Sequence, residues 1–156
     1  RKMGVVLGEN CRLIGLPDWG SEPWLISIGN HTEVSFDVAF ITHDGATWCF
    51  RDQDEYKGTL KFGRIRIGNN CFIGARSTIL PGVTIGDNSI VAAGAVVNRS
   101  IPSGEVWGGV PAHYIMKTKD YADKCKENTP IYDLENYRKN FREEVNLICD
   151  RMEHSM

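Results

Sequence analysis

Between residues 67 and 102 the apolar positions recur every six residues, a period that fits neither the 3.6 of an amphipathic helix nor the two of an alternating strand. The stretch divides without a gap into six hexads, IGNNCF, IGARST, ILPGVT, IGDNSI, VAAGAV and VNRSIP. Their first position is always aliphatic (Ile67, Ile73, Ile79, Ile85, Val91, Val97) and their fifth is small or aliphatic (Cys71, Ser77, Val83, Ser89, Ala95, Ile101). Glycine fills the second position three times. This register predicts a coil of three short strands and three tight corners per turn, each hexad forming one side of a triangular prism. First-position side chains would stack inward, the fifth would fit the corner, and glycine or asparagine would supply the unusual backbone angles of the turn.

Weaker copies occur upstream as IGNHTE, VSFDVA and FITHDG from Ile28, Val34 and Phe40, with a fragment LGENCR from Leu7. The blocks are out of phase: Leu7 to Ile28 is 21 residues and Phe40 to Ile67 is 27, so irregular excursions must intervene, over 16–24 and 45–62. The longer one, GATWCFRDQDEYKGTLKF, is polar and aromatic without a repeat of its own. A loop of this length leaving a corner of a compact domain points to function or to disorder. After Pro111 the repeat stops, and helices are predicted over 117–126 and 133–152. Asp133 is the expected N-cap of the second, whose apolar stripe is Leu134, Tyr137, Phe141, Val145, Ile148 and Met152. The domain organisation expected is a coil over 1–116 carrying the excursion 45–62, followed by a helical segment over 117–156.

The chain has 156 residues, with 18 basic against 20 acidic side chains and a net charge of −2. That is the size of one domain, and it offers no broad basic field for nucleic acid and no apolar run approaching the roughly 20 residues of a membrane span. Five cysteines at wide spacing, with no CxxC pair, read as a reducing cytoplasm and no structural zinc. The sequons at Asn30 and Asn98 read as chance matches. Sixteen glycines are a mild excess whose placement in the hexads marks corners, with no sign of a linker.

The hexads, the tripeptide Val110-Pro111-Ala112 in WGGVPAHYI, and the segment FITHDGATWCFR together resemble the hexapeptide-repeat acyltransferases. Within them the sequence is similar to the branch holding galactoside and maltose O-acetyltransferases, chloramphenicol and streptogramin acetyltransferases, and the O-acetyltransferases of capsular and O-antigen sugars. The resemblance spans about residues 5 to 116. It implies an all-β fold, a left-handed parallel β-helix with a C-terminal helical extension, which is an exception to the right-handed crossover rule. It also implies a homotrimer in the cytoplasm, with acetyl-CoA and a small-molecule or glycan acceptor in clefts between subunits and no metal.

Acetyl transfer to a sugar hydroxyl needs a base, because a neutral alcohol is a poor nucleophile until its proton leaves, and histidine is the best-matched side chain. His43 ends a hexad just before the long excursion, and the resemblance gives that position the catalytic role. His31 fits a corner, and His154 lies in a tail. A base must be oriented, and Asp44 and Glu22 are the candidate carboxylates. Glu22 sits roughly one coil before His43, in a stretch that bears an acidic acceptor-binding residue in galactoside-type relatives. A backbone N–H at a corner would serve the oxyanion.

For the coenzyme, the resemblance implies the exposed edge of the last coils, with Ala75 and Ala93 at matching motif positions and Gly94 beside them. Asn98 and Arg99 stand where relatives carry a Thr-Lys pair that contacts coenzyme, and Arg99 is suited to a phosphate. Phe72 matches a position often held by tryptophan, and also suits simple cover of a sheet face. His113 replaces the usual basic residue after G-x-P-A, which weakens a phosphate contact there. Trp48 and Trp107 are candidates for an aromatic wall, or for packing between subunits. Cys49, six residues past His43, raises a cysteine relay, against which stands the direct transfer of the related enzymes. Two alternatives stay open: the same fold with an amine acceptor, in an amino sugar or an antibiotic, and a scaffold or gamma-type carbonic anhydrase. The latter needs three converging histidines, including a pair five residues apart, and His31, His43 and His113 lack that spacing.

Overall fold

The computed structural model of the protein describes residues 4–153. Two compact units divide the chain, Arg1–Thr118 and Lys119–Met156. In the first, the hexads become strands of two or three residues: β1 Val6–Leu7, β2 Arg12–Leu13, β3 Ile26–Ile28, β4 Glu33–Val34, β5 Ala39–Phe40, β6 Ile65–Ile67, β7 Phe72–Ile73, β8 Thr78–Ile79, β9 Thr84–Ile85, β10 Ile90–Val91 and β11 Val96–Val97. β12 Glu105–Gly108 and β13 His113–Lys117 close the unit. From β3 to β11 every third strand falls on the same face. The first face is ordered β1-β3-β6-β9, the second β13-β12-β10-β7-β4-β2 and the third β11-β8-β5, and every pairing is parallel except that of β12 with β13.

In the two-residue strands β4, β5 and β7 to β11 the second side chain points in and the first points out, because successive residues alternate across the pleat. The inward columns are Ile28, Ile67 and Ile85 on the first face, Val34, Ile73 and Val91 on the second, and Phe40, Ile79 and Val97 on the third, all no more than 4% exposed. Burying each is worth about 1.5–3 kcal/mol. The phase slips are absorbed as loops: Ile28 pairs with Leu7 on one side and Ile67 on the other, so both excursions leave the coil's register intact.

Polar ladders line the corner between the first and second faces. Cys11 Sγ donates to Gly29 O, Thr32 Oγ1 to Gly68 O, Cys71 Sγ to Gly86 O and Ser89 Oγ to Pro102 O, each reaching the next coil at 2.9–3.2 Å. Burial pushes the Cys71 thiol pKa up, keeping it a neutral donor.

The corners correct one expectation. Of the hexad glycines, only Gly82 and Gly94 take positive φ, while most left-handed turn positions are held by Asn10, His31, Asp37, Asn70, Arg76 and Asn88. The second-position glycines answer a different need. A Cβ on Gly74 would lie 2.5 Å from Ala93 N, and one on Gly68 2.3 Å from Asp87 Oδ1, so close stacking of the coils excludes any side chain.

Helix α1 runs Thr118–Asn128, starting at the last residue of the first unit, and is followed in the second by α2 Leu134–Lys139 and α3 Phe141–Glu153. Asp133 caps α2 as expected, accepting from Glu135 N and Asn136 N. The single helix expected over 133–152 is instead broken at Asn140, whose backbone leaves the helical region (φ −129°, ψ 56°). The break lets Glu144 of α3 turn back, accept from Asp133 N and Asn136 Nδ2, and sit 2% exposed. Apolar spacing did not reveal this polar staple. Leu134, Phe141 and Met152 of the expected stripe are exposed. His154 lies outside the described residues.

Candidate active site

The third face meets the first at a corner interrupted by the excursion 45–62. Its two ends are clasped by an antiparallel neck: Asp44 N donates to Lys61 O, Gly63 N to Thr42 O, and His43 faces Phe62 across an antiparallel bridge. Below the neck, Thr42 is buried in the coil (1% exposed). The His43 ring therefore stands at the junction of rigid coil and loop, with the Phe62 ring 5.7 Å away.

Glu22, at the end of the first excursion, reaches this corner. Its Oε2 lies 2.9 Å from His43 Nδ1 and accepts the Thr42 hydroxyl at 2.6 Å. The Thr42 hydrogen bond, then that to His43, holds the Glu22 carboxyl below the usual glutamate range. An ionised carboxylate only accepts, so Nδ1 donates the proton, and in the neutral ring that tautomer keeps the lone pair on Nε2. The pair is partly shielded, with 41% of the His43 side chain and 17% of that of Glu22 exposed.

Asp44 is differently engaged. Its carboxylate accepts from Ala46 N, capping the 3-10 turn Gly45–Cys49, and pairs with Lys61 Nζ at 2.7 Å, which lowers its pKa. The sequence left two carboxylates as partners of His43, and Glu22 alone is bonded to it; Asp44 is pulled away by the neck. Asp44 still lines the cleft beside His43, an open space of about 660 Å³ bordered also by Lys61, Leu80, Pro81 and Asn98. Leu80 and Asn98 come from successive coils stacked above Ile41. Lys61 and Thr42 were missed in the sequence: a lysine inside a polar loop and a threonine in a hexad carry no signal that the neck will bring them to the histidine.

The other candidates are spread along the coil. Phe72 is half-exposed on the outer side of the second face, between Glu33 and Ile90. Ala75 accepts from Gly94 N at the corner of the second and third faces, where Ala93 also lies. Arg99 follows Asn98 at the corner of the third and first faces, and His113 opens β13. Asn98 is the one of this set that borders the His43 cleft. Among the described residues Trp48 and Trp107 make no ring contact with each other: Arg51 lies over the Trp48 ring, and Trp107 Nε1 donates to Glu105. Cys49 is an exposed free thiol. No three His, Cys, Asp or Glu side chains of the described residues converge as a metal site.

Residues 64–99 match a family model described as the hexapeptide repeat of succinyl-transferase. Protein CapG of Staphylococcus aureus is 45% identical over 139 residues, which cover 88% of this chain and 80% of that protein. The chain belongs to the hexapeptide-repeat acetyltransferase family. Membership places it among acyltransferases, and solved structures agree on the fold. A maltose O-acetyltransferase from Clostridium difficile 630 superposes with a TM-score of 0.61 at 29% identity, over 73% of this chain and 59% of that one. A galactoside acetyltransferase in complex with coenzyme A gives a TM-score of 0.58 at 27% identity, over 77% and 58%. The chain thus spans under three-fifths of both solved acetyltransferases.

Proposed function

We propose that this hexapeptide-repeat protein transfers the acetyl group of acetyl-CoA to a hydroxyl of a sugar or polysaccharide precursor, with His43 as general base. The observation that carries the reading is the Glu22–His43 contact at 2.9 Å, which engages Nδ1 and leaves Nε2 to take a proton, on a residue that borders an open cleft. The acceptor hydroxyl gives its proton to Nε2 as its oxygen attacks the thioester carbonyl. The tetrahedral oxyanion collapses, the C–S bond breaks, and the imidazolium returns the proton to the departing thiolate. Glu22 stays ionised throughout and stabilises the imidazolium while it exists. Asp44 borders the acceptor and is not the group that orients the base.

In this reading the coil is left-handed and the assembly a homotrimer. The coenzyme set supports assembly between copies: Phe72, Ala75, Ala93, Gly94 and His113 belong to the second face and its border with the third, whereas Asn98, Arg99 and His43 belong to the opposite border of the third face. A neighbour that brings one border against the other completes the site. Arg99 has no hydrogen-bond or ion-pair partner among the described residues and is suited to a coenzyme phosphate. No helix of the described residues is long and apolar enough to cross a membrane, and the reaction is assigned to the cytoplasm, where acetyl-CoA is supplied and thiols stay reduced.

His43→Ala is expected to lower turnover by about 10²–10⁴ with acetyl-CoA affinity unchanged, measured by CoA release and by calorimetry. Glu22→Gln should lower kcat by about 10–100-fold while the KM for acetyl-CoA holds. Retained turnover in His43→Ala removes the base from this mechanism.

A further inference from the structure

Beside the reactive corner lies a second hollow, on the outer side of the first face. It measures about 240 Å³ and is lined by Trp24, Ser27, Arg64 and Arg66 together with Val6 and the segment 25–26. Arg64 and Arg66 flank the buried Ile65 of β6, so strand alternation points both guanidinium groups to the same side. Among the described residues neither guanidinium group has a hydrogen-bond or ion-pair partner. Elsewhere on the coil Arg12 is matched to Glu33 and Arg76 to Asp37. Two like charges held side by side in a hollow without a carboxylate repel each other, and an anion relieves that repulsion.

The hollow's other walls suit a carbohydrate. Ser27 sits in register with Arg66 on the neighbouring strand and offers a hydroxyl, and Trp24, 60% exposed, offers an aromatic face to the apolar side of a sugar ring. The same segments also build the catalytic corner. Trp24 is two residues beyond Glu22, and Arg64 is two residues beyond Phe62, the residue bridged to His43. At roughly 3.3 Å of rise per strand residue, the hollow begins within about 10 Å of the His43 backbone, a span of one to two pyranose rings.

We propose that Arg64, Arg66, Ser27 and Trp24 form the subsite for an anionic group on the saccharide acceptor, a phosphate or a carboxylate, so that the acetylated molecule is an acidic saccharide or a sugar phosphate. This rests on the reading of His43 as the base that serves a sugar hydroxyl. The two guanidinium groups hold the anion, Trp24 carries the ring, and the hydroxyl to be acetylated extends toward Nε2.

Calorimetry on the full chain with galactose, galactose 1-phosphate and galacturonate tests this. The anionic sugars are expected to bind at least tenfold more tightly than galactose, and the tighter of the two identifies the anion as phosphate or carboxylate. Arg64→Ala/Arg66→Ala should bring all three within about twofold while acetyl-CoA affinity holds; because both side chains are exposed, the fold should survive, and Arg66→Glu alone provides a second, charge-reversed check. Equal binding of the three sugars, or a double variant that keeps the preference, overturns the proposal. So does loss of acetyl-CoA affinity in the double variant, which would assign the pair to the coenzyme. His43→Ala should keep the anion preference without turnover, so a failed base and a failed anion subsite give different results.

Discussion

The coil over 65–102 and the excursion over 45–62 are built from segments equally short, yet they are held in opposite ways. In the coil no strand exceeds three residues, but backbone donors along the faces cross to the next turn, as Arg66 N to Val83 O, Phe72 N to Ser89 O, Thr78 N to Ala95 O and Leu80 N to Val97 O, all at 2.8–3.0 Å. In the excursion the bonds stay local, as Phe50 N to Thr47 O, Gln53 N to Phe50 O and Tyr56 N to Gln53 O. Its large side chains face outward, with Trp48 68% and Leu60 71% exposed, and Thr47 is its buried residue. Rigidity here comes from stacking and not from strand length. His43 stands on the stacked side of the neck, bonded to Glu22 and bridged to Phe62, while the loop beside it is held by its own local bonds.

The contrast breaks most sharply at a glycine. Gly74→Val would drive side-chain atoms into the Ala93 backbone, and the expected result is a loss above about 4 kcal/mol or failure to fold, read by urea unfolding. Gly45→Ala, with nothing within 4 Å of its Cβ, should stay within about 0.5 kcal/mol. A tolerated Gly74→Val would mean that the coils do not stack this closely. Next in size, Ile73→Ala should cost about 2–5 kcal/mol because the fully buried column cannot collapse around the void. Trp48→Ala should change stability by less than about 0.5 kcal/mol, and a larger loss would show the loop to be packed.

The smallest effect separates the neck from both regions. The Lys61 ammonium, then Ala46 N, holds the Asp44 pKa below the ordinary aspartate range. Because the folded pKa is lowered, the pair's contribution is complete above the ordinary value and fades as pH falls below it toward the folded one. Amide exchange over 45–62 should therefore rise as pH is lowered through that window, after correction for intrinsic rates, with the coil amides unmoved. Asp44→Asn should show the faster loop exchange already at neutral pH; identical exchange in the two proteins would remove the ion pair as the clasp.

Much of the coil was legible because its physics is periodic: a residue that must stack on its equivalent one turn later has to recur every 18 positions, and Ile67, Ile85 and their neighbours do so. The glycines were legible as corner residues but not as to cause, since a positive φ and a close approach leave the same letter in the sequence. The helical region was read less well. Apolar spacing carried a single helix through Asn140, where two polar side chains, Asn136 and Glu144, bond across the break.

His43 as a candidate base, and Glu22 as one of two carboxylates to orient it, came from the sequence alone, along with the repeat and its phase slips. Which carboxylate holds the ring was decided by the tertiary structure, because the choice depends on where each excursion returns. The loop neck turns Asp44 to Lys61, and the first excursion brings Glu22 back to Thr42 and His43. Arg64 and Arg66 are of the same kind: the sequence shows two basic residues among many, and only the stacked face reveals that no acid among the described residues pairs with them. Local pattern records what each turn of the coil must repeat, whereas the site is made where the repeat is interrupted, and interruptions meet only in three dimensions.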